Sequence, residues 1–344
     1  MPFLEEFLGA PVVQDTLSQP TGVLAWGRKP SAVKAEAFAS SRGLPLLRIE
    51  DAFLRSVEPG SDSPGYGLVI DDLGIYYDAS SPSRLETLVK SDLSFEQKER
   101  SRALISLWKS ERVSKYNHSR DRTDDLPRDF VLVVDQTYGD ASIRFGLADA
   151  DTFPRMLEAA LKENPSSSIL LKVHPEVISG RKKGHFNLQK LEKNPRISVL
   201  SDDRHPAALI KSASSVYVVT SQMGFEALLW GKPVRVFGMP FYAGWGLTSD
   251  EIPAPARRDT ASLEQLVHAA LIDYARYIDP ETRCRCEVER FLKWLGCQRR
   301  MRQRFTVVSH ASSNQTFKGK GGWNKVATFL MRLWCRSWKV KELM

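Results

Sequence analysis

Four short passages carry polar side chains at the ends of apolar runs. In the first, Asp135-Gln136-Thr137-Tyr138-Gly139-Asp140-Ala141-Ser142 follows Phe130-Val131-Leu132-Val133-Val134. A carboxylate, an amide and hydroxyls just past a buried strand stand where an open α/β sheet binds its ligands. Capping of the next helix by Asp140 or Ser142 accounts for the same residues. In the second passage, His174-Pro175-Glu176 ends the run Ile169-Leu170-Leu171-Lys172-Val173. Proline stops the strand, so the imidazole projects beside Lys172 and Glu176 and could donate to a phosphate or a sugar carboxylate. A second His-Pro pair, His205-Pro206, follows Asp202-Asp203 and reads as a helix cap.

The third passage is Thr220-Ser221-Gln222-Met223-Gly224-Phe225-Glu226, closed by Gly231-Lys232-Pro233. Hydroxyls and free backbone N–H groups at a helix N-terminus make an anion site. Glu226, one turn in, could accept both hydroxyls of a ribose; a capped helix with a first-turn acid explains it too. The fourth is Glu50-Asp51-Ala52-Phe53-Leu54-Arg55-Ser56 after a strand. A carboxylate there could deprotonate an incoming hydroxyl. A surface turn holding an Asp–Arg pair explains the residues equally well.

Other groupings read more plainly. Asp149-Ala150-Asp151 has the Asp-x-Asp spacing of some metal-dependent transferases, but it precedes a helix and reads as an N-cap. Cys284, Cys286 and Cys297 lack a nearby fourth ligand for structural zinc. Neither a Walker lysine loop nor Gly-x-Gly-x-x-Gly occurs, which leaves ATP hydrolysis and nicotinamide binding without support.

The elements that position these groups alternate. Strands are expected at 23–27, 46–49, 68–70 and 75–77, with an Ala-rich helix to about 41 and helical periodicity over about 82–116. The polar stretch 117–129 reads as a linker. A second unit has strands at 130–134, 168–173, 197–200, 215–219 and 233–237, with helices at 152–164, after Pro206, and at 224–230. Such alternation implies open parallel sheets with right-handed crossovers. The expected class is α/β, with two Rossmann-type domains facing a cleft.

The chain has 344 residues and a net charge of +8. From Gln298 onward there are 11 Lys and Arg against one acid, so the remainder carries −2. The body is therefore not a basic nucleic-acid-binding domain. The four cysteines are too sparse for a disulfide framework and favour a reducing compartment. The acidic start lacks a signal-peptide pattern, and no run approaches the ~18 apolar residues needed to span a bilayer. From Lys325 to Val340 apolar residues recur every three or four positions opposite Lys and Arg, the pattern of an interfacial helix.

Taken together, these blocks resemble the capsular-polysaccharide β-Kdo transferases of the KpsC type, in a single-module form. The resemblance rests on Trp26 to Ser31, Glu50 to Ser56, Asp72 to Asp78, Asp135 to Ser142, His174 to Glu176, Thr220 to Pro233 and Phe237 to Thr248, in order. It implies a GT-B architecture: an acceptor-side domain at 1–126, a CMP-sugar domain at 127–260, helices packing across both at 261–308, and a basic amphipathic tail at 309–344. It implies retaining transfer of Kdo from CMP-Kdo to a Kdo acceptor on lyso-phosphatidylglycerol, without a metal or other cofactor. Asp140 would be the nucleophile, with Glu50 or Asp51 as base toward the acceptor. Gln136, Ser142, Lys172, His174, Glu176, Ser221, Gln222 and Glu226 would hold the nucleotide sugar; Arg28, Lys29 and Arg55 would face the acceptor. Its setting would be cytoplasmic, peripheral on the inner face of the bacterial inner membrane, with other capsule assembly proteins as partners. A sugar-nucleotide epimerase or hydrolase on the same fold, and a noncatalytic membrane- or RNA-binding protein, are the competing readings.

Overall fold

The computed structural model describes residues 2–13, 19–60, 63–173, 177, 182–191, 193–200, 202 and 204–311, with side chains as far as 303. Eleven strands are described: β1 (Val23–Trp26), β2 (Leu46–Asp51), β3 (Gly67–Asp71), β4 (Phe130–Val134), β5 (Ser168–Lys172), β6 (Ile197–Leu200), β7 (Ser215–Val218), β8 (Val234–Val236), β9 (Ser249–Asp250), β10 (Ala275–Ile278) and β11 (Arg285–Cys286). They form two sheets, in the orders β1-β2-β3-β10-β11 and β6-β5-β4-β7-β8-β9.

The second sheet is parallel throughout. All five residues of β4 are buried, as a strand covered on both faces requires. The first sheet departs from the all-parallel expectation. Only β1 and β2 pair in parallel, and the later pairings are antiparallel. The described part of the β2–β3 connection contains no α-helix of the kind that carries a parallel crossover. Within 261–308, where helices were expected, the chain also supplies β10 and β11 to this sheet.

Residues 75–77, expected as a strand, instead follow a turn built by Asp71. Its carboxylate accepts from the N–H of Leu73 at 2.9 Å, of Gly74 at 2.8 Å and of Arg84 at 3.0 Å, and from the Tyr274 hydroxyl at 2.9 Å. The helical stretch splits into Arg84–Val89 and Phe95–Glu111, each opened by a capping box, Ser83 with Glu86 and Ser94 with Gln97. Asn117, the first residue of the expected linker, is buried. Its amide donates to Ser56 O at 3.2 Å, and its Oδ1 lies 3.3 Å from His205 Nε2.

Both sheets belong to one compact unit, Met1–Gly296. A single apolar cluster runs through both lobes. At its centre Phe53, just after β2, lies 4.4 Å from Phe241 and 5.0 Å from Tyr76, centroid to centroid. Arg257 and Arg258 each reach the Glu86 carboxylate at 2.7 Å, adding a polar tie. The other unit, Cys297–Met344, carries the end of helix Val288–Ala311. The amphipathic stretch expected at 325–340 lies outside the described residues. No described helix is long and apolar enough to cross a membrane.

Candidate active site

In the parallel sheet, β4 leads outward through β5 to β6, and β7 leads the other way to β8 and β9. The order reverses between β4 and β7, and the crevice beyond their carboxyl ends is where such sheets bind ligands. Gln136 follows β4 and Thr220 follows β7. Gln136 Oε1 accepts from Thr220 N at 2.9 Å, and its Nε2 donates to Thr220 Oγ1 at 3.0 Å. Thr220 Oγ1 lies 3.1 Å from Ser142 Oγ. Ser142 in turn donates from its N–H and its hydroxyl to Asp140 Oδ1, both at 2.9 Å. Asp140 caps the short helix Ala141–Phe145 and remains exposed. Its second oxygen, Oδ2, has no hydrogen bond among the described residues.

Close packing holds this brace in place. A Cβ on Gly146 would come within 2.5 Å of the Thr220 methyl, and one on Gly238 within 2.8 Å of it. Met239 N–H donates to Gly146 O at 2.7 Å, tying the chain after β8 to the end of the Asp140 helix.

The first lobe presents Glu50 and Tyr76 to the same region. Burial holds the Glu50 carboxyl above its ordinary range, against the opposing pull of Lys115. The Tyr76 phenol is raised by burial first, and then by the negative charges of Glu50, Asp51 and Asp140. One phenol therefore senses carboxylates from both lobes. Asp51 is engaged differently, because its Oδ2 accepts from Arg55 Nε at 2.8 Å. This is the Asp–Arg pair expected of a surface turn, half-buried here. Arg28 is also committed, with its guanidinium 2.6 Å from Asp78 and 3.2 Å from Ser81 Oγ. The Lys29 ammonium stands 4.9 Å over the Trp26 ring.

On helix Gln222–Leu229, Ser221 caps the N-terminus through Met223 N–H at 3.3 Å. Gln222 reaches across to the first lobe and donates to Phe53 O at 2.7 Å. Glu226 is buried. Its Oε1 accepts from Ser114 Oγ at 2.9 Å and from Gln222 Nε2 at 3.2 Å, and its Oε2 is buried without a partner. Burial pushes its carboxyl up to about 7, against these hydrogen bonds. Lys172 ends β5 and is half-buried. His174 and Glu176 lie outside the described residues. His205 caps helix Pro206–Ser212 through Ala207 N–H, and Asp149 caps the helix after it through Thr152 N–H at 3.0 Å.

Two features escape a reading of the sequence. Thr220 is the meeting point of the brace, although it looks like an ordinary strand end. Asp135 is paired with His185, fifty positions later, at 2.9 Å. The only sequence signal for either is proximity to an apolar strand.

Residues 21–124 and 100–277 match the family described as capsule polysaccharide biosynthesis protein. The chain is 43% identical over 275 residues to the capsule polysaccharide modification protein LipA of Neisseria meningitidis serogroup A, covering 76% of this chain and 39% of that one. It is 37% identical over 289 residues to the lipopolysaccharide-processing protein LpsZ of Rhizobium meliloti, covering 81% and 65% respectively. The chain thus spans about two fifths of the length of its meningococcal relative. Among solved structures, the KpsC beta Kdo 2,4 transferase of Thermosulfurimonas dismutans superposes with a TM-score of 0.79 at 42% identity, covering 86% of this chain and 94% of that one. The beta Kdo 2,7 transferase of the same KpsC gives 0.62 at 32% identity, over 79% and 83%.

Proposed function

This chain belongs to the capsule polysaccharide biosynthesis family, and on that footing we propose that it is a retaining glycosyltransferase moving Kdo from CMP-Kdo to a Kdo-bearing, lipid-linked acceptor. The observation that carries the reading is the place of Asp140: at the reversal point of the parallel sheet, braced through one oxygen.

Kdo is a ketose acid, and its transfer passes through an oxocarbenium-like state that a carboxylate opposes. In the first step an Asp140 oxygen bonds the anomeric carbon while the bond to the CMP phosphate breaks. Oδ2 is the oxygen for this, since Oδ1 is occupied by Ser142. In the second step the acceptor oxygen bonds the anomeric carbon, the bond to Asp140 breaks, and the acceptor proton passes to a base. Glu50 suits that task better than Asp51. A carboxyl raised by burial is a stronger base, and Asp51 is held by Arg55.

On the nucleotide side, Ser221 and the N-terminus of its helix would receive the phosphate. Glu226, expected to take a ribose hydroxyl, is closed off in the seam with Ser114 and Gln222 on its Oε1, so its carboxyl is not open to the nucleotide. No metal is assigned to these steps. The greater likeness to the 2,4 transferase supports a 2,4 linkage for the product. A membrane-surface setting, with the basic stretch 325–340 lying on anionic lipid, would confine enzyme and lipid acceptor to one plane.

Intact-protein mass spectrometry after exposure to CMP-Kdo tests the mechanism. One added Kdo residue on the wild-type chain, removed on adding acceptor, is expected. Turnover with no adduct in rapid-quench samples would contradict the covalent route.

A further inference from the structure

We infer that His185, acting through Asp135, is a positioning residue that holds the Asp140 loop in register with the parallel sheet. The inference rests on the role proposed for Asp140.

The argument begins where β4 ends. Asp135 is the first residue beyond the strand, and its side chain is almost fully buried, as is that of His185. Asp135 Oδ1 accepts from Gln136 N–H at 2.8 Å and lies 2.9 Å from His185 Nδ1; Oδ2 accepts from the His185 N–H at 3.3 Å. A carboxylate only accepts, so the imidazole donates from Nδ1. The carboxylate therefore joins two chain segments: the loop leading to Asp140, and residues 183–185.

Two further contacts join the same two segments, and a third fixes the His185 ring against Phe153. Tyr138 N–H donates to Lys183 O at 2.8 Å, and the Lys183 ammonium stands 4.9 Å over the Tyr138 ring. The His185 ring stacks on Phe153 with centroids 3.6 Å apart and planes 5° from parallel, which fixes its rotation. Gly184 has no room for a side chain, since a Cβ there would come 2.5 Å from Asp135 Oδ2 and 2.9 Å from Val177.

From this clamp an unbroken line of hydrogen bonds leads to Asp140. Asp135 orients Gln136, Gln136 braces Thr220, Thr220 meets Ser142, and Ser142 holds Asp140 Oδ1. A buried histidine serving only the fold could sit anywhere in the core. This one is bonded to the residue that begins the line. Displacing a reacting group by ~1 Å costs on the order of 10²-fold in rate, so loss of the clamp should appear in turnover more than in binding.

The test compares His185→Ala with His185→Asn, whose amide can replace the Nδ1 donor. Two measurements are made: amide hydrogen exchange over residues 136–142 without substrate, and kcat and KM for CMP-Kdo. His185→Ala is expected to exchange about 10-fold faster over that loop and to lose on the order of 10²-fold in kcat, with KM within about twofold. His185→Asn should recover most of both. Unchanged exchange, or faster exchange with wild-type kcat, overturns the positioning role, as does a loss carried entirely by KM. Should His185→Ala fail to fold, Asp135→Asn, which keeps the volume, is read by the same two measurements and the same outcomes. A wild-type chain that transfers no Kdo overturns the function proposed above and the positioning role with it. Unchanged exchange in an active wild-type background overturns the positioning role alone.

Discussion

Ser114 and Glu226 meet at the seam between the two lobes. The serine hydroxyl donates to Glu226 Oε1 at 2.9 Å, while the other carboxyl oxygen is buried with nothing to bond. Such a carboxyl favours its neutral form, which gives the seam a dependence on pH.

The sign follows from the direction of the shift. With a folded-state value of about 7 against an ordinary 4.5, the folded protein holds a proton that the unfolded chain releases. Stability is therefore greatest below the ordinary value and declines as pH rises through that window, by an upper figure on the order of 3 kcal/mol. Glu226→Gln removes the titration, so its stability relative to wild type should improve steadily from about pH 5 to about pH 8. Urea unfolding at several pH values measures this; a difference that stays constant contradicts it.

Asp140→Asn should abolish transfer while leaving CMP affinity within about twofold, because the side chain touches Ser142 and not the nucleotide helix. Radiolabelled Kdo transfer and calorimetry with CMP give the two numbers. Near-normal turnover in the variant removes Asp140 from the nucleophile role.

Glu50→Gln should lower kcat by about 10²–10⁴-fold while the first step survives, so that the Kdo adduct accumulates. In the wild type, activity should fall as pH drops through a value above the ordinary glutamate range, and the variant should lose that acid limb. A variant with an unaltered acid limb shows that another group is the base.

Phe53→Ala should destabilise the chain by about 3–5 kcal/mol, the usual cost of a large aromatic removed from a closed core. Phe53 is fully buried against aromatics of both lobes, at 5.0 Å from Tyr76 and 4.4 Å from Phe241. Denaturant midpoints, read with the slope of the transition, measure the loss. A change under about 1 kcal/mol would mean that the seam is not part of the cooperative core.

Removal of residues after about 322 should release the protein from anionic vesicles and preserve transfer to a soluble acceptor, since the basic residues each contribute about 1 kcal/mol at such a surface. Equal sedimentation of the full and shortened chains with vesicles refutes the anchor.

The parallel sheet was legible because β4 is an unbroken apolar run with its partners at regular spacing. Caps were legible as well: His205 and Asp149 do what short-range chemistry says they should. The first sheet was harder. Asp71 turns the chain by accepting three backbone N–H groups, and nothing in Asp-Asp-Leu-Gly distinguishes that from a hairpin turn leading into another strand. At the site, the residue types near strand ends could be read, but their mutual commitments could not. Asp51 with Arg55 is a local pair and was foreseeable. Gln136 with Thr220, and Asp135 with His185, join residues 84 and 50 positions apart, a distance over which no periodicity speaks.

The last strands of the first sheet bear on how the protein is made. β10 pairs with β3 through Ala275 and Val69, so a ribosome that has emitted the first 130 residues has emitted a sheet with one long side unpaired. That side waits through the synthesis of the whole second lobe before its partner arrives. The nascent chain must meanwhile keep a buried strand, Gly67–Asp71, from pairing with a stranger. The first sheet is not whole in a chain cut after residue 126; a faithful first half needs the codons for 1–126 joined to those for 261–296.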